Sequence, residues 1–98
     1  MDFKISRQVE EKLRDRHGVS RKEIIECFFN RSGPPFQDTR ANHQTDPPTF
    51  WLVSETDVGR VLKIVYIQRG QDFIIKTAYE PKDGSDVLYQ RLCARRRN

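Results

Sequence analysis

The chain has 98 residues, of which 36% are hydrophobic and 33% charged, with a formal net charge of +4. This balance fits one globular domain with a modest core, leaves no room for a separate cofactor-binding module and excludes a disordered polyelectrolyte. Every apolar run falls short of the roughly 20 residues that cross a bilayer, and Met1-Asp2-Phe3-Lys4-Ile5 lacks the basic start and apolar centre of a secretory signal, so a cytoplasmic chain with no membrane association is expected.

Phe3 to Ile5 reads as a short edge strand. Ser6 then caps a helix whose apolar positions, Val9 and Leu13, lie one turn apart, and His17-Gly18 ends it, with Gly18 as the left-handed stop. The sequence Ser20-Arg21-Lys22-Glu23 is a capping box, because a carboxylate follows the cap hydroxyl by three residues. The second helix carries Ile24, Ile25, Phe28 and Phe29, a wide apolar stripe expected to face a sheet, and Gly33-Pro34-Pro35 stops it.

A short strand at Phe36-Gln37-Asp38 leads into a polar loop, Thr39 to Asp46, that holds Arg40 and His43. Pro47 and Pro48 close the loop before a strand from Thr49 to Glu55. Asp57-Val58-Gly59 is a turn, and residues 60–68 and 72–79 form a hairpin around a polar, Gly-containing turn. Pro81-Lys82-Asp83 ends the last strand, and Val87, Leu88 and Leu92 fit one helical face.

The expected fold is therefore α+β: two N-terminal helices packed on a three- to four-stranded antiparallel sheet, followed by a C-terminal helix, in a single domain spanning 1–98. Residues 91–98 are a basic tail. Arg91, Arg95, Arg96 and Arg97 lie beyond the last acid, Asp86, and account for the whole positive excess. Such a patch suits phosphates or an acidic protein face, and it also suits a solvated tail. Cys27 and Cys93 have no metal-type spacing and read as reduced, packed thiols.

The hairpin ends in a polar cluster, Lys76, Tyr79 and Glu80, that no hairpin core requires. Separately, His17-Gly18-Val19 between two short helices, Asp38-Thr39-Arg40 on the following strand, Gly59-Arg60 opening a strand that ends near Tyr66, and Ile75-Lys76-Thr77-Ala78 on the next strand resemble the BrnT toxins of the broad RelE-like group of bacterial toxin ribonucleases. The resemblance runs from about His17 to Tyr89. It implies a compact sheet packed by two N-terminal helices, endoribonuclease activity and a cognate antitoxin, with Arg40 and Arg60 as functional arginines. Tyr79-Glu80 departs from that pattern, which favours a basic residue after the alanine.

Metal-independent RNA cleavage needs a base for the 2′-hydroxyl, cations around the phosphorane and an acid for the leaving 5′-oxygen. In this reading Glu80 is the base, Arg40 and Arg60 clamp the phosphate, Tyr79 stacks on a base or donates a proton, and His43 is the acid. Lys76, Lys63 and the arginine tail hold the RNA backbone, and neither cofactor nor metal is needed. Each assignment has a structural competitor: a Lys76–Glu80 ion pair, a solvated Arg60, an Asp38–Arg40 pair, and a helix-end role for His17. Either Phe50 or Trp51, on opposite strand faces, is free to offer a stacking platform, whereas Phe28, Phe29, Phe73 and Tyr66 read as core.

A toxin-type endoribonuclease acting on RNA is thus the leading expectation, and a non-catalytic RNA- or protein-binding module of the same fold is the alternative. An ADP-ribosyl-protein hydrolase comes third, because its metal-dependent chemistry calls for a cluster of acidic ligands that the sequence does not display.

Overall fold

The computed structural model describes residues 2–39 and 47–97, the side chain of Arg97 excepted. Its elements run β1 (Asp2–Lys4), α1 (Arg7–Lys12) continued by one π-helical turn (Leu13–His17), α2 (Arg21–Asn30), β2 (Phe36–Gln37), β3 (Thr49–Glu55), β4 (Val61–Arg69), β5 (Asp72–Tyr79) and α3 (Ser85–Arg97). The α+β class and the C-terminal helix are as expected. The sheet is larger and mixed: five strands in the order β1-β5-β4-β3-β2, antiparallel except for the parallel β1–β5 pair.

Local chemistry sets the helix ends. The Ser6 hydroxyl accepts from the Val9 N–H at 3.2 Å. Ser20 and Glu23 exchange both capping-box bonds, at 3.2 and 3.0 Å. Gly18, at φ +60°, terminates the π turn in the left-handed conformation that a Cβ disfavours.

The core lies between the helical layer of α1 and α2 and one face of the sheet. Leu13, Val19, Ile24, Cys27 and Phe28 bury themselves with Leu52, Leu62, Ile64, Tyr66, Ile75 and Ala78. The Phe28 ring stands edge-on to Phe3 at 4.9 Å and to Tyr66 at 5.3 Å, arrangements that aromatic quadrupoles favour. Phe29 overturns its expected place: it is 71% exposed. Ile24, Cys27 and Phe28 already cover the sheet, and the next residue turns about a quarter of the helix away from it.

The opposite sheet face carries α3. Tyr89 meets Trp51 and Phe36 edge-on at 5.7 and 5.5 Å, and its hydroxyl donates to the Pro34 carbonyl at 2.8 Å. Trp51 is therefore buried, and Phe50 is half-buried against Tyr66, so neither ring is a free platform. Both thiols are unpaired, and burial, the largest influence, pushes Cys27 up to about 12. Among the described residues no helix is long and apolar enough to cross a membrane.

Candidate functional site

Because β1 pairs only with residues 72–74 of β5, the outer edge of β5 beyond that point is left to the first helix. The π turn packs there, and the Lys12 ammonium donates to the Lys76 carbonyl at 3.4 Å. A register irregularity between Val65 and Tyr66 leaves Lys76 as the extra residue of β5, exposed at this edge.

Where β5 ends beside the π turn, a cleft of about 460 Å³ is lined by Arg16, His17, Arg60, Tyr79, Glu80, Lys82 and Asp83. Three of the expected residues, Arg60, Tyr79 and Glu80, thus meet in one place. His17 joins them, its ring centroid 5.7 Å from that of Tyr79. The helix-end reading of His17 is correct as local structure, since it is the last residue of the π turn, yet its ring also faces the cleft. Burial, then the positive charges of Lys12 and Arg16, lowers its pKa from 6.5 and favours neutral imidazole at neutral pH.

Arg60 sits at the centre of this arrangement, with its side chain 26% exposed. Its Nε donates to Glu80 at 2.7 Å, one terminal nitrogen to the Gly18 carbonyl at 2.8 Å and to Glu23 at 2.9 Å, and the other to the His17 carbonyl at 3.0 Å. The planar fork of donors allows one side chain to reach two carboxylates and the free carbonyls that end the π turn. Arg60 therefore holds the strand hairpin to the helical corner instead of presenting an open fork to phosphate. Glu80 pairs with Arg60, and no Lys76–Glu80 ion pair forms.

Lys63 is placed differently from the expected RNA contact: it is 7% exposed. Its ammonium donates to Ser85 Oγ at 2.9 Å, lies 3.9 Å from Asp83 and stands 5.0 Å above the Trp51 ring. It faces α3 because its strand neighbours Leu62 and Ile64 take the helical side, and the Ser85 end of α3 closes over it. Lysine burial is rare without such partners.

Arg91, Arg95 and Arg96 are exposed on α3, which continues to Arg97, so the basic tail is the helix itself. Arg40 and His43 lie outside the described residues. Arg16, Lys82 and Asp83 are the cleft residues that sequence reasoning left out, and His17 reads there as a helix end; the docking of the π turn on β5 is what brings Arg16 and His17 to Tyr79. Protein-family models yield no match to this chain, and curated proteins yield none either.

Proposed function

We propose that the chain is a toxin-type, metal-independent endoribonuclease of the BrnT and RelE-like kind, acting on cytoplasmic RNA and neutralised by a cognate antitoxin. The observation that carries this reading is the cleft in which His17 and Tyr79 stand among Arg16 and Lys82. Neutral His17 takes the proton of a ribose 2′-hydroxyl, whose oxygen attacks the adjacent phosphorus. Arg16 and Lys82 balance the charge that builds on the phosphorane, and Tyr79 protonates the departing 5′-oxygen, leaving a 2′,3′-cyclic phosphate and a 5′-hydroxyl. Arg60, by holding the His17 and Gly18 carbonyls and Glu80, fixes the cleft in shape. The exposed arginines of α3 and Lys76 supply backbone contacts that carry no sequence information.

The test is incubation of the purified chain with single-stranded RNA in the presence of a chelator. New ends bearing cyclic phosphate, reduced by a factor of about 100 or more in His17→Ala and Tyr79→Phe, are expected for a proton-transfer pair. Intact RNA with folded wild-type chain rejects the reading. A second reading, an RNA- or protein-binding module without catalysis, draws on the mutual saturation of Arg60 and Glu80, and RNA that is retained but uncut identifies it.

A further inference from the structure

The chain is cationic overall, yet one part of its surface is not. Between the end of α2, the outer edge of β3 and α3 lies a groove of about 760 Å³ whose only charged lining residues, among the described residues, are Glu55, Asp57 and Asp86. Asp57 is fixed there by the Asn30 amide at 2.9 Å. The floor of the groove is an open strand edge, and the sequence explains why it is open.

Thr49 accepts from the Asp38 N–H at 2.8 Å, so Thr49 and every second residue after it turn their backbone groups away from β4. Trp51 meets Phe36 in that row. The next position in the same register sets Val53 opposite Pro34, which has no N–H to give. The pairing of β2 with β3 stops there, and Tyr89 draws the Pro34 carbonyl towards α3 instead. The outward N–H and C=O of Val53 and the N–H of Glu55 are left at the groove, with the Glu55 carbonyl held by Asn30 at 3.0 Å. Beside them Ser54, 8% exposed, has a buried hydroxyl with no hydrogen-bond partner.

We propose that this groove receives an extended, lysine- or arginine-bearing peptide segment of a partner protein, which adds to the open edge of β3 as a short sixth strand. The N–H and C=O of Val53 and the N–H of Glu55 supply the ladder, and the three carboxylates, unopposed by any cation among the described residues of the groove, select a basic segment over an acidic one. The site stands apart from the His17 cleft and holds whether or not that cleft cuts RNA.

The probe is a capped seven-residue peptide alternating lysine and valine, with a glutamate–valine peptide as control, titrated into the full chain and followed by backbone amide shifts and hydrogen exchange. The lysine peptide is expected to shift and protect the amides of Val53 and Glu55. Val53→Pro, which removes an outward donor that no strand uses, weakens it by about tenfold, the worth of one hydrogen bond. The pair Glu55→Gln with Asp86→Asn weakens it several-fold at low salt and little at high salt, and decides the matter even if Val53→Pro does not fold. Unmoved Val53 and Glu55 amides, equal binding of the glutamate peptide, or protection of the edge by self-association without any peptide would each overturn the proposal.

Discussion

Arg60 Nε lies 2.7 Å from the Glu80 carboxylate, while the same guanidinium lies 2.9 Å from Glu23; one cation thus ties the end of the sheet hairpin to the start of α2. Removing it takes a charged donor from two carboxylates and two helix-terminal carbonyls, although Glu23 keeps its bond from the Ser20 N–H. Arg60→Ala is therefore expected to lower unfolding stability by about 3 kcal/mol, a cost typical of stripping the partner from partly buried charged groups. Arg60→Lys recovers less than half of it, because a point ammonium cannot span the same acceptors. Urea midpoints of the three chains measure both effects.

Acid weakens this tie in a predictable direction. Removal of Glu23 from water raises its pKa, but hydrogen bonds from Arg60 and Ser20 outweigh that and hold it below 4.5. A carboxyl whose folded pKa is depressed binds protons more readily in the unfolded chain. Its stabilisation is fully present above about pH 4.5 and is lost as pH falls through the lower folded value. Glu23→Gln is expected to be less stable at neutral pH and to lose less on acidification. A steeper acid loss in the variant would contradict the assignment.

The lowered pKa of His17 makes a matching claim about activity. If neutral His17 is the base, the rate of RNA cleavage falls on an acid limb positioned below pH 6.5. Lys12 contributes to that depression without lining the cleft, so Lys12→Met is expected to move the limb upward towards 6.5. A limb that stays in place when the charge is removed would assign the titration to another group.

Gly33 is constrained by space and not by backbone conformation. A Cβ there would lie 2.6 Å from Cys93 Sγ and 2.9 Å from the Tyr89 hydroxyl. Gly33→Ala is expected to cost about 1 to 2 kcal/mol, the range for forcing a methyl into a filled contact. Adding Cys93→Ala is expected to return more than half of it. A double-mutant cycle by thermal melting tests the pairing, and additive costs would show that the contact is not the cause.

What was legible in the sequence was local. The capping box, the Gly18 stop and the two hairpins announce themselves within a few residues, and each forms as read. The parallel partnership of β1 did not, since Phe3 to Ile5 carries no sign of which strand it will join. The site was partly legible for the same reason. Tyr79 and Glu80 are conspicuous at a strand end, whereas His17 gains its neighbours only when the π turn reaches β5. Lys63 was misread because alternation puts it on the face away from α1 and α2, and nothing nearby in sequence shows that the Ser85 end of α3 will cover that face. Phe29 was misread because an apolar residue next to Phe28 looks like part of the same stripe.

The parallel pair of β1 and β5 also orders the assembly of the molecule. Asp2 to Lys4 must find Asp72 to Ile74, seventy residues away, whereas β3, β4 and β5 meet across turns of a few residues. Short loops close at little entropic cost, and the meander forms from contacts that are near in sequence. The first strand then docks onto a hairpin edge that already exists, and with it the Phe3 ring completes the cluster of Phe28 and Phe73. Until that step the 72–74 edge remains open to other strands, so the interval before β1 arrives is when a folding chain is most exposed to pairing with its neighbours.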